Sequence, residues 1–163
     1  MDVKDLIGYN HVVRELYLDA LVKLSWKQVI EPRGLSFDSL RNVFLHLTLV
    51  EDRWVSYIIP DRFNDWVDPD FDGFKNMDSL REYMQRVQSN TTLYLAKLSV
   101  EELNRQIVLP WGTKPETRIT IEKGLTHMVL EVMIHYGELS AALWQMGLEA
   151  PYMGFWRYKC KKT

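Results

Sequence analysis

The chain has 163 residues, of which 47% are hydrophobic, 26% charged and 12% aromatic, the balance of an ordinary globular protein able to bury a core. A net charge of −2 and a pI near 6.1 provide no electrostatic footprint for a phosphate backbone, so nucleic acid is not an expected partner. The lone cysteine, Cys160 in the basic tail, excludes an internal disulfide framework; with the charged start Met1-Asp2-Val3-Lys4-Asp5 and no apolar run of roughly 20 residues, this predicts one cytoplasmic domain over residues 1–163 without a membrane anchor.

Helical periodicity opens the chain. Leu6, Tyr9, Val13, Leu16, Ala20 and Leu24 recur at three- and four-residue spacing and predict a first helix from about Asp2 to Val29, broken by Pro32 and Gly34. A second helix is expected from a cap at Ser36 or Ser39, with Leu40, Val43, Phe44 and Leu47 on its stripe and an end before Pro60. Residues 59–77 then form an acidic, turn-rich loop whose Phe63, Trp66, Phe71 and Phe74 argue for packing against the body. A third helix is predicted from a cap at Asp78 or Ser79, with the stripe Leu80, Tyr83, Met84, Val87, Tyr94, Leu95 and Leu98 and a polar lapse at Ser89-Asn90-Thr91-Thr92. Ser99 and Glu101-Glu102 mark a short turn. Gln106–Leu109 and Thr117–Thr120 read as two strands around a turn from Pro110 to Pro115. The last helix runs from a cap at Thr120 or Glu122 to Gly147, roughly 40 Å at 1.5 Å per residue, with Leu125, Val129, Val132, Leu139, Ala142, Leu143 and Met146 inward. The fold expected is all-α: an up-down four-helix bundle with a small β-hairpin before the last helix, the front of the tail (Tyr152, Phe155, Trp156, Tyr158) packing down before a frayed end.

Chemistry concentrates in the last helix. His127, Glu131 and His135 are four residues apart and line one seam among apolar neighbours. One metal ion could be shared by His127 with Glu131 or by Glu131 with His135, but His127 and His135 are about 12 Å apart along the axis and cannot both reach it. His46, in the apolar run Phe44–Leu49, is the candidate third ligand. The simpler accounts are a hydrogen-bonded core histidine at 46 and an i, i+4 pair at 131 and 135. His11 reads as a surface or helix-packing residue, Glu51-Asp52-Arg53 as a solvated charge cluster whose Glu51 is in reach of the bundle end, and the six tryptophans as core volume. Asp68, Asp70 and Asp72 lack the closing glutamate of a calcium loop. No nucleophile arrangement surrounds Cys160, and no glycine-rich phosphate loop is present.

With Tyr9-Asn10, the segment Ser36-Phe37-Asp38-Ser39-Leu40 ahead of His46, Glu51, Trp54 and the fourth-helix series ending in Leu143-Trp144-Gln145-Met146-Gly147 and Pro151, the chain resembles the DinB-like superfamily of metal-binding four-helix bundles, related to bacillithiol- and mycothiol-dependent transferases. The resemblance implies His46, Glu131 and His135 as metal ligands, with His127 in the outer position as a pocket residue or alternative ligand. Glu131 stands where the family has a histidine, Tyr136 for an arginine and Glu138 for a glutamine, while Gly137 is kept. A carboxylate at 131 retains ligating ability and favours harder ions, so the implied cofactor is a divalent transition metal: zinc, nickel, iron or manganese. The implied activity is transfer of a low-molecular-weight thiol to an electrophile through a metal-activated thiolate, with metal-dependent hydrolysis or a non-catalytic, stress-associated role as alternatives. A small-molecule substrate and a homodimer are the implied partners.

Overall fold

The computed structural model describes residues 2–111 and 117–159. Its long helices are α1 (Val3–Val22), α3 (Leu40–Arg53), α4 (Met77–Lys97) and α6 (Ile121–Gln145); short helices α2 (Trp26–Ile30) and α5 (Val100–Asn104) lie between them. Strands β1 (Gln106–Val108) and β2 (Arg118–Thr120) pair antiparallel, Ile107 opposite Ile119, immediately before α6. The architecture is thus the expected four-helix bundle with its hairpin. Around the bundle α3 packs on α4 and α6, and α1 on the same two. Helices α1 and α3 therefore face each other across a diagonal.

Local chemistry sets the helix ends. Ser39, Ser99 and Thr120 each accept a backbone N–H three residues on, opening α3, α5 and α6 where expected. Two boundaries differ. The first helix does not run to Val29: Ser25 and Gln28 form a reciprocal capping box, satisfying the donors of a new helix start, and α2 begins there. The third helix is capped by Asn76 rather than Asp78 or Ser79, with Ser79 as the returning member of the box. The polar lapse in α4 does not interrupt it, because Thr91 is buried and continues the stripe of Leu80, Tyr83, Met84 and Val87. In α1 the inward face is Ile7, Asn10, Arg14, Tyr17, Leu18 and Leu21; only Val13 of the expected stripe is buried, the others flanking it.

Past Arg53 the chain widens into a π-turn, Trp54–Ile58, closed by Ile59 N–H donating to the Trp54 carbonyl at 3.0 Å. Phe63, Trp66, Phe71 and Phe74 pack on the core as expected. Of the tryptophans, only Trp54 is fully buried, while Trp111, Trp144 and Trp156 are at least half-exposed, which corrects their reading as core volume. No helix among the described residues is long and apolar enough to cross a membrane. Cys160 and most of the turn between the strands lie outside the described residues.

The tail docks through part of its aromatic set: Phe155 and Tyr158 meet the Tyr9 ring edge-on at 5.2 and 6.0 Å, while Tyr152 and Trp156 stay exposed. A Cβ on Gly8 would strike the Tyr158 hydroxyl. Gly8→Ala is therefore expected to gain up to about 1 kcal/mol of helix propensity while releasing the tail. Limited proteolysis should cut residues 152–158 faster in the variant, and equal protection would refute the docking.

Candidate functional site

The turn ahead of α3 places the site. Asp38 N–H donates to the Leu35 carbonyl at 2.9 Å, and Arg33 N–H to that of Asp38 at 2.8 Å. Asp38 takes a left-handed conformation (φ 73°), which a short polar side chain tolerates. The turn lays the Phe37 ring flat on the His46 imidazole, centroids 3.9 Å apart. His46 projects from α3 towards α6, where the His135 ring meets it edge-on at 4.6 Å. His46 Nε2 stands 3.7 Å from Glu131 Oε1, and His127 Nε2 stands 3.6 Å from Glu131 Oε2. The expected residues are thus brought onto one seam between α3 and α6.

Those two separations exceed the roughly 2.7–3.2 Å of a hydrogen bond. They are nearer the roughly 3.3 Å between donors around a tetrahedral ion bound at about 2.0–2.1 Å. The His46 imidazole, assisted by Arg53 and His127, holds the Glu131 carboxyl below its ordinary pKa against the opposing effect of burial. Glu131 is therefore ionised at neutral pH. His135 is oriented differently, its Nδ1 lying 3.1 Å from Glu138 Oε2. Glu138 is itself held by the Ser36 N–H and by the Ser36 hydroxyl, the latter at 2.7 Å. Burial would push the Glu138 carboxyl up, but Ser36 and His135 hold it below the usual range. A carboxylate on one imidazole nitrogen leaves the other, Nε2, as a metal donor of raised basicity.

Chemically, two imidazoles and a carboxylate suit a divalent transition metal. As the side chains stand, the donors meet in pairs: among the described residues no group of three or more His, Cys, Asp or Glu side chains could hold an ion. Alongside the seam opens a cavity of about 370 Å³ lined by Phe37, His46, Leu49, Arg53, Pro69, Phe71 and Asp68. His127 lines a second hollow, about 450 Å³, with Lys123, Thr126 and Leu130.

The expected solvated cluster at Glu51-Asp52-Arg53 is not solvated. Glu51 is fully buried and Asp52 nearly so. Across the bundle diagonal Glu51 accepts from Arg14 Nη2 at 2.7 Å, and its other oxygen is 2.7 Å from His11 Nε2. Of the two readings of His11, helix packing is the one found: it is partly buried against Glu51 of α3. Asp52 faces Tyr83, Arg86 and Ser56. Sequence reasoning missed the parts played by Glu138, Phe37 and Arg53. The i, i+3 spacing of His135 and Glu138 was a readable signal, and so was Arg53 two turns beyond His46.

A four-helix bundle with histidines and a carboxylate between its second and fourth long helices defines the class. The chain matches the DinB family over residues 1–162 and belongs to it. A solved structure of a DinB-like protein, YjoA of Bacillus subtilis, is similar in fold: TM-score 0.67 and 17% identity, covering 92% of this chain and 95% of that one. No curated protein matches the chain.

Proposed function

We propose that this DinB family protein binds a divalent transition metal through His46, Glu131 and His135 and uses it to activate a low-molecular-weight thiol for transfer to an electrophile. The observation that carries the reading is the Glu131 carboxylate, ionised and half-buried, with His46 Nε2 at 3.7 Å and the His135 ring edge-on to that of His46 at 4.6 Å. A divalent ion bound there would bring the pKa of a coordinated thiol or water into the neutral range. The chain's own residues do the rest. Phe37 fixes the His46 ring, and Glu138, anchored by Ser36, accepts the Nδ1 proton of His135 and so leaves Nε2 as the nitrogen that would ligate. Substrate approaches through the cavity beside His46, between Phe37 and Phe71.

The test uses untagged, metal-stripped protein titrated with zinc, with metal content measured after dialysis. Wild type is expected to retain one equivalent, His46→Ala and Glu131→Ala to lose it, and Glu138→Gln to bind about 10–100-fold more weakly. Unchanged metal content in both alanine variants overturns the proposal.

A further inference from the structure

Arg53 stands two turns beyond His46 on α3, with Leu49 between them, and all three line the same cavity. At 1.5 Å per residue the rise from His46 to Arg53 is about 10 Å, the span of a small organic molecule. The guanidinium is held in place by the Trp111 ring, 5.7 Å from its carbon. Its Nε is buried without a hydrogen-bond partner, and among the described residues no carboxylate pairs with it. Arg14, Arg41, Arg86 and Arg105, by contrast, each face an acidic side chain. Asp68, the one carboxylate lining this cavity, accepts instead from the Trp66 indole N–H at 2.9 Å. A half-buried guanidinium with no hydrogen-bonded anion, Glu131 acting on it only at longer range, keeps a desolvation cost that a ligand anion removes, and its planar fork matches a carboxylate with two parallel N–H donations. Phe37, Leu49, Pro69 and Phe71 make the remaining wall apolar.

We propose that Arg53 anchors the carboxylate of a small ligand whose apolar body lies along Phe37 and Phe71, with its other end at His46. The proposal rests on the reading of the His46 seam as the ligand site and adds the substrate class: acid-bearing, apolar, and no larger than a cavity of about 370 Å³ admits.

The probe is phenylacetate, compared with its neutral relative 2-phenylethanol, titrated into the full chain while the Trp111 indole and His46 imidazole resonances are followed by NMR. Phenylacetate is expected to shift both saturably and to bind Arg53→Gln about tenfold or more weakly, with partial recovery in Arg53→Lys. The alcohol should bind wild type no better than it binds Arg53→Gln. Equal phenylacetate affinity in wild type and Arg53→Gln, equal affinity of acid and alcohol for wild type, or no saturable shift overturns the proposal. The acid–alcohol comparison decides the matter on the unaltered chain if a variant folds poorly. Zinc content, measured in parallel on wild type, His46→Ala and Glu131→Ala, reports the metal site separately. Loss of the metal result with Arg53-dependent phenylacetate binding intact would sink the metal reading alone, and the converse would sink the anion anchor alone.

Discussion

Glu51→Ala is expected to destabilise the fold by about 3–5 kcal/mol, a large share of the roughly 5–15 kcal/mol that holds a domain of this size together. Arg14 and Glu51 are both fully buried, and the Arg14 guanidinium has Nε and Nη1 without partners. Removing the carboxylate leaves that cation with a 3.4 Å contact to the Leu47 carbonyl and strips His11 of its partner. The paired substitution Arg14→Met with Glu51→Leu should cost much less than Glu51→Ala, because an apolar pair of similar volume leaves no buried charge. Urea denaturation with an unchanged m-value measures both. A single variant within 1 kcal/mol of wild type on the order of ordinary surface changes would show that the diagonal pair contributes little. The pH dependence follows the same pair. Burial alone would raise the Glu51 pKa, but Arg14 and His11 overcome it and hold the carboxyl at about 2. A folded-state pKa below the unfolded value of about 4.3 gives stability that is present above that value and lost as pH falls through about 2. Glu51→Ala should therefore flatten the acid limb of the stability curve.

The legible parts of the fold were those set by neighbours in sequence. Apolar spacing marks the inward face of α6 from Leu125 to Leu143, and the caps at Ser39, Ser99 and Thr120 need only a hydroxyl three residues ahead of a free N–H. The face of α1 was not legible, because Asn10 and Arg14 look like surface residues until Glu51 arrives from across the bundle. Burying a charge is a decision made by a distant partner, and periodicity carries no record of it. The candidate site divides in the same way. Helical spacing and a family resemblance suffice to name Glu131, His135 and His46. The support comes from the turn at 34–39, whose backbone alone determines that Phe37 covers His46 and Ser36 reaches Glu138.

Trp54→Ala is expected to cost about 3–5 kcal/mol, the range for emptying a buried aromatic site. Trp54 is 1% exposed at the head of the π-turn, and its ring meets Trp111 at 5.7 Å and His127 at 5.8 Å. It also fills the notch left by Gly124, where an added Cβ would come within 2.8 Å of the indole Cζ3. Gly124→Ala should gain about 1 kcal/mol in helix propensity yet destabilise overall by about 1–3 kcal/mol, because a buried ring cannot retreat. The indole N–H has no hydrogen-bond partner, so Trp54→Phe leaves a smaller cavity and removes an unmet donor; its cost should fall well below that of the alanine. The two sites are coupled through the ring edge. In a Trp54→Phe background, Gly124→Ala should lose most of its penalty, giving a double-mutant coupling above about 0.5 kcal/mol in urea denaturation. Strict additivity would mean that the notch is not what fixes the ring. Because that ring abuts His127, which faces Glu131, Trp54→Ala should also weaken zinc binding in the titration, whereas Trp54→Phe should largely preserve it.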